Sequence, residues 1–201
     1  MRALAAFLVF AAVATPALAQ TMPSATGFYI QAYGGLRIPD NLQFDGTAQD
    51  LGIGTTLGGS VGVDSSIPGL TGEIDYMRSS TTYSALGTSL DSQSLMLDAT
   101  YAPQLSLGLA VQPYVGAGLG AVDVTYKDNA SAIAPAFQLK VGVSGPISGQ
   151  LSWFGEYRYQ QAFGEVNVGA DRAEYASHSI AGGLKIDFGG GAPASGGYGG
   201  Y

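Results

Sequence analysis

No cysteine occurs anywhere in the chain, so no disulfide framework can hold it and no N-terminal cysteine can carry a lipid anchor. Histidine is nearly absent too, with His178 alone. Charge is scarce: Asp, Glu, Lys and Arg make up 11% of residues, against about 25% in an ordinary globular domain. What charge exists is acidic, 15 carboxylates against 8 Lys and Arg for a net of −7, which leaves no basic face for nucleic acid. Beyond the first twenty residues there is no apolar run approaching the roughly 20 residues a membrane helix needs. Mean hydropathy is nevertheless positive, at +0.19, so the apolar content is spread thinly along the chain. Glycine is plentiful (31 residues) and so is tyrosine (12). A β-rich, tightly turning chain fits this better than a helical one. Weakly alternating segments of about 10 residues are what a transmembrane β-barrel looks like in sequence.

The first twenty residues differ from the rest. "MRALAAFLVFAAVATPALAQ" has a basic start at Arg2, an apolar run from Leu4 to Val13 and the small-x-small triplet Ala17-Leu18-Ala19. This is the pattern of a secretory signal peptide, expected over residues 1–19. The mature chain is expected to form one domain over residues 20–188, followed by a Gly-rich tail over 189–201.

Eight segments alternate with period two and are enriched in Tyr, Val, Ile and Phe. They fall near 26–38, 55–65, 70–79, 91–102, 111–126, 135–145, 150–162 and 175–188. The connections "SIPG" and "GPIS" are short, while "PDNLQFDGTAQDLGIG", "STTYSALGTSL" and "FGEVNVGADRAE" are long. Short turns at one end and long loops at the other are the outer-membrane barrel pattern. "PQLSLGLA" fits that pattern least well. Parity then assigns faces. Trp153, Tyr157 and Tyr159 oppose Glu156, Arg158 and Gln160; Leu139 and Val141 oppose Gln138 and Lys140; Ile74 and Tyr76 oppose Glu73 and Asp75; Leu95 and Leu97 oppose Met96 and Asp98. The polar face carries few charges beside glycines such as Gly116, Gly118 and Gly120, which suits a narrow lumen better than a water-facing surface. The tyrosines and Trp153 are expected on the apolar face near strand ends, as aromatic girdles. The fold class that results is all-β, an eight-stranded antiparallel up-and-down transmembrane β-barrel.

The segments "GFYIQAYGG", "PYVGAGLGA", "FQLKVGVSGPIS", "LSWFGEYRY" and "HSIAGGLKIDF", in this order and spacing, resemble the small outer-membrane β-barrel family. That family comprises porin-like surface antigens and opacity-type proteins related to the OmpA transmembrane domain. The resemblance implies a barrel in the outer membrane of a Gram-negative bacterium, in contact with outer-membrane lipid and lipopolysaccharide and inserted by the barrel assembly machinery. It implies a monomer without cofactor or bound metal, with Phe188 as the closing-strand aromatic. One departure is the tail "GGGAPASGGYGGY" after Phe188, where the family usually ends; it is too Gly-rich to pack and is expected to be disordered in the periplasm.

Four features invite a chemical reading. Counting back by twos from Phe188 places His178 on the outward face at the extracellular rim, with Ile180 beside it and Ser177 and Ser179 turned inward. A Ser–His pair on one face is therefore not available there, and no catalytic site is expected. Glu73, Asp75, Asp98, Lys140, Glu156, Arg158 and Lys185 share the lumen face. Eight strands enclose a space just wide enough for side chains, and buried charges must pair or pay several kcal/mol each, so these seven are expected to interlock. The acids Asp40, Asp45, Asp50, Asp128, Glu165, Asp171 and Glu174 are expected in loops, in a spacing that matches no calcium loop. "GAGLG" lies within a strand, with no helix after it to bind a dinucleotide. The expected function is non-enzymatic, in envelope structure and surface interaction through extracellular loops. The alternative is a narrow channel for water or small solutes, suggested by the glycines of the lumen face.

Overall fold

The structure, a computed structural model, describes residues 27–39, 42–44, 47–49, 52–83, 88–103, 111–126, 130–168 and 171–188. The leader, the tail, most of "PQLSLGLA" and the acids Asp40, Asp45, Asp50 and Asp128 lie outside these residues. Ten strands follow in chain order: β1 (Phe28–Pro39), β2 (Leu42–Phe44), β3 (Thr47–Gln49), β4 (Gly54–Asp64), β5 (Leu70–Tyr83), β6 (Thr88–Tyr101), β7 (Gln112–Tyr126), β8 (Ala130–Ser148), β9 (Leu151–Val168) and β10 (Asp171–Phe188). Eight of them close an antiparallel barrel in the order β1-β10-β9-β8-β7-β6-β5-β4, and β2 and β3 pair as a separate hairpin. The eight expected strands are therefore present, in the expected up-and-down order.

Two of the connections at one end of the barrel are tight turns. Between β4 and β5, the Ser65 hydroxyl accepts from the Ile67 N–H, and Gly69 takes a φ of 80° that suits glycine. Between β8 and β9 only Gly149 and Gln150 intervene, with Gly149 at a φ of 52°, as a two-residue hairpin requires. The barrel closes at this end where Phe28 stands opposite Phe188, the rings stacked with centroids 4.8 Å apart.

The other end differs from the loops expected. "STTYSALGTSL" is largely strand: β5 continues to Tyr83 and β6 begins at Thr88, with those two residues paired. β9 runs to Val168 and β10 starts at Asp171, so Glu165, Asp171 and Glu174 lie in strands, with Glu165 opposite Glu174. Alternation disappears here because a ribbon beyond the barrel wall has no apolar face to bury, so period two carries no signal. These ribbons also part from the wall. β8 pairs with β7 from Ala130 onward but with β9 only from Ala136, and Pro135 sits at the parting, where a strand edge tolerates a residue without an N–H. The β9–β10 ladder shifts register between Glu174 and Ala176, next to Gly164 at a φ of 82°. That irregularity is the bulge at which the two strands leave the barrel.

The faces invert the usual order of a protein. Outside, Leu57 is 70% exposed, Leu119 62%, Leu97 61% and Ile180 58%, whereas inside Asp75 is 0% and Arg158 1% exposed. A closed sheet with this exterior leaves no backbone group unpaired in lipid. The rings of Phe137, Tyr159 and Phe163 gather on the outside toward the ribbon end, and Tyr76 donates to Gln93 Oε1 at 3.0 Å near the same level. The aromatic expectation holds for these residues but not for every tyrosine. Tyr29, Tyr33 and Tyr175 are buried in the lumen, and the Tyr114 hydroxyl bonds a lumen carboxylate. The alternation Phe28-Tyr29-Ile30 already turns Tyr29 inward.

The lumen is the core. Tyr33, Met77, Phe154 and Ala181 pack together in one cluster, and Leu90, Met96, Val122, Val124 and Tyr175 belong to another. The glycines make room for large lumen side chains. Gly62 faces Tyr29, Gly58 faces Tyr33 and Gly118 faces Asp98 in register, and a Cβ on any of the three would collide with that partner. This is the sheet device of seating a bulky side chain over a glycine on the next strand. Gly118→Ala is expected to cost about 1–3 kcal/mol through overpacking, read as a lower urea midpoint of the refolded barrel. An unchanged midpoint would mean that Asp98 has a second place to go.

Candidate functional site

Six of the lumen charges lie on four strands. β5 supplies Glu73 and Asp75, β6 Asp98, β8 Lys140, β9 Glu156 and Arg158, and β1 the tyrosines that seal them. Each points inward because its neighbours at odd spacing are apolar and face outward: half-buried Ile74 and exposed Tyr76 beside Asp75, and exposed Leu97 beside Asp98, Leu139 and Val141 beside Lys140, and Tyr157 beside Arg158. Register then brings them together, since Glu73 stands opposite Asp98 and Lys140 opposite Arg158.

They form two knots. In the first, Lys140 Nζ lies 2.7 Å from Glu73 Oε2 and 2.9 Å from Asp98 Oδ2. Glu73 Oε1 accepts from the Tyr29 hydroxyl at 2.7 Å and from Thr100 at 3.0 Å, and Asp98 accepts from Gln138 Nε2 at both oxygens, 2.8 and 2.7 Å. In the second, Arg158 meets Asp75 end-on, Nη1 to Oδ1 at 3.0 Å and Nη2 to Oδ2 at 3.1 Å. Its Nε donates to Glu156 Oε1 at 2.6 Å, its Nη2 lies 2.5 Å from the same oxygen, and its Nη1 also donates to the Tyr33 hydroxyl at 2.6 Å. A guanidinium has five N–H donors in a rigid fork, and here those contacts use the whole fork. Tyr33 in turn donates to Asp75 at 2.9 Å, and Tyr114 donates to Glu156 Oε2 at 2.9 Å.

Glu73, Asp75, Asp98, Lys140, Glu156 and Arg158 thus meet in two adjoining clusters. Lys185 does not join them. It pairs with Asp187 at 3.0 Å, both side chains 27% exposed, and reaches the knots only through the Tyr29 ring, 4.5 Å from its Nζ. Its distance along β10 is the reason: the closing strand brings residue 185 to the tight-turn end, opposite Gln31 and Ser152. A further buried cation, Arg37, escaped the sequence reading, although Leu36 and Ile38 flank it as exposed residues and so turn it inward.

Glu73, Asp75 and Asp98 each offer a carboxylate oxygen within 4.8 Å of the others, a spacing at which a metal ion could be held. Lys140 and Arg158 already supply the positive charge at those oxygens. His178 lies on the outer face, its Nδ1 bonded to the Tyr157 hydroxyl at 2.5 Å and its ring 5.0 Å from that of Tyr159. Ser177 and Ser179 are buried on the opposite face of β10, so neither meets His178 across its own strand. The ring sits where a half-polar aromatic suits a membrane boundary.

The comparisons with known proteins point the same way as the fold. Among solved structures, Neisserial surface protein A is similar at 21% identity and a TM-score of 0.62, covering 79% of this chain and 96% of its own. OprG of Pseudomonas aeruginosa aligns at 15% identity and a TM-score of 0.47, over 82% and 97% of the two chains. The N-terminal β-barrel domain of Pseudomonas aeruginosa OprF aligns at 15% and 0.47, over 83% and 100%. No curated protein matches the sequence. The family model described as the outer membrane protein beta-barrel domain matches residues 5–198. With an apolar exterior, a charged interior and that match over nearly its whole length, the chain belongs to the family of outer membrane β-barrel proteins and resides in the cell's outer membrane.

Proposed function

We propose that this protein is a non-enzymatic outer-membrane barrel whose lumen is a closed structural plug, and that it acts in envelope structure and surface contact through its extracellular ends. The observation that carries this reading is Arg158, 1% exposed, with its whole donor fork spent on groups from three other positions around the lumen. A side chain so held fills and rigidifies the space; it leaves no donor over for a passing solute.

The strand lengths support the second half of the proposal. A membrane strand needs about 9–11 residues, but β8 has 19 and β9 and β10 have 18 each. A tight turn joins β8 to β9 at one end, where β10 also finishes at Phe188, so the surplus projects at the other, which by the usual plan of short periplasmic turns is the extracellular side. Those ribbons carry the surface that meets lipopolysaccharide headgroups and whatever the cell encounters.

The channel reading started from the lumen glycines, and those at 58, 62 and 118 are the seats of Tyr33, Tyr29 and Asp98. Single-channel conductance of the refolded protein in planar bilayers tests the proposal, with a heat-modifiability gel to establish that the barrel has folded. Folded protein without conductance is the expected result. Reproducible steps that change when Arg158 or Lys140 is neutralised would make it a small porin instead.

A further inference from the structure

Arg37 and Arg158 are each 1% exposed, yet their surroundings differ. Arg37 donates from Nη1 to Ser92 Oγ at 2.7 Å, and its guanidinium carbon lies 5.0 Å from the centroid of the Tyr175 ring. Its Nε and Nη2 are buried and have no hydrogen-bond partner, and no carboxylate among the described residues pairs with it. A hydroxyl and one ring face compensate little of a buried charge.

A second unpaired donor belongs to the same layer of the lumen. The Tyr175 hydroxyl bonds Ser92 Oγ at 3.2 Å and donates to Gln160 Oε1 at 3.0 Å, which ties Gln160 to Arg37 through two intermediates. Gln160 is 1% exposed and its Nε2 is buried without a partner. Ser94, next to Ser92 on the lumen face of β6, has a buried, unbonded hydroxyl as well. The nitrogens left over at Arg37 and Gln160 are donors only, and Arg37 carries one positive charge; the one unpaired acceptor next to them among the described residues is Gln138 Oε1, on the residue opposite Gln160. A water molecule accepts at most two bonds and carries no charge; an anion accepts from all of them and neutralises the guanidinium.

We propose that the ribbon-side half of the lumen holds one small monovalent anion of halide type, bound by Nε and Nη2 of Arg37 and Nε2 of Gln160. One guanidinium balances one negative charge, which favours a halide over a multiply charged oxyanion. The neighbouring apolar cluster of Leu90, Val122, Val124 and Tyr175 suits an ion that is weakly hydrated. The site is separate from the two salt-bridge knots and holds whether or not the barrel conducts.

Sodium bromide is the probe. Crystals of the refolded full chain grown in bromide are expected to show an anomalous peak within hydrogen-bond reach of Arg37 Nε and Nη2. In detergent micelles, the thermal midpoint should rise and saturate as bromide replaces gluconate at constant ionic strength. Arg37→Met is expected to abolish that rise. Gln160→Leu, which keeps the guanidinium and serves if the arginine variant does not fold, should weaken the apparent affinity several-fold. Absence of anomalous density at Arg37 would overturn the proposal, since water then fills the layer. So would a bromide response that survives in Gln160→Leu with unchanged affinity.

Discussion

Replacing Arg158 with methionine is expected to destabilise the folded barrel by about 3–5 kcal/mol, the cost of removing one partner from a buried ionic cluster. Methionine preserves most of the packing volume, so the loss comes from Asp75 and Glu156, which keep their charges and lose the groups that satisfied them. It reaches further, because Tyr33 also loses the N–H it accepts while still donating to Asp75. The unfolding free energy from urea titration of the refolded protein in lipid vesicles is the measurement. A variant as stable as the parent that also conducts would recast Arg158 as a gate. A large cost here does not mean that the cluster stabilises the barrel on balance. Substituting a whole buried ionic set by apolar residues of matching shape is often neutral or better. What the knots provide is a unique register: Asp75, Glu156 and Tyr33 come from β5, β9 and β1, and only one alignment of those strands fits the guanidinium fork.

The second large effect lies on the outside. Leu97→Arg is expected to cost about 2–4 kcal/mol, as a cation does at the midplane of a bilayer-facing barrel wall. Leu97 is 61% exposed, and it stands midway along β6 between Tyr101 at the tight-turn end and Gln93, which Tyr76 marks near the other boundary. Leu139→Arg should cost less. Leu139 pairs with Tyr159, one of the rim aromatics that pack with Phe137, and the penalty falls toward the interface, where a long cation reaches the headgroups. Equal, negligible costs at both positions would show that this face does not meet lipid.

Most of the wall was legible because lipid outside and packed charge inside impose opposite demands on successive residues. "FQLKVGVS" carries that contrast in every pair and "WFGEYRYQ" in all but Trp153–Phe154, and their faces are as parity assigns them. The signal weakened where one of the two demands lapsed. Above the membrane neither face needs to be apolar, so the ends of β5, β6, β9 and β10 look like loop in sequence although they pair as strand. Among the lumen charges, face was readable and depth was not. Lys185 has the right parity, but its height along the barrel depends on how the strands stagger, and it falls nearer the mouth than the knots. Arg37 shows the reverse case: it lies inside the first expected strand, near 26–38, and the β1–β10 ladder continues past it to Pro39, but its place beside the other lumen charges depends on height along the barrel.

The closure of β1 on β10 also bears on the order of assembly. The seam joins residues near 28 to residues near 188, whereas every other wall contact links strands that are consecutive in the barrel part of the chain. Pairings between distant residues bear the largest loop-closure cost and form late. The lumen bonds share that distance: Arg158 to Tyr33 spans 125 positions, Arg158 to Asp75 spans 83 and Lys140 to Glu73 spans 67. Before the seam closes, these groups are still hydrated, so their native contacts should be largely absent from the rate-limiting transition state. Weakening them then leaves the rate of folding nearly unchanged and accelerates unfolding. On this view the charged interior acts as a latch, one that sets how long a finished barrel stays shut while contributing little to how fast it is built.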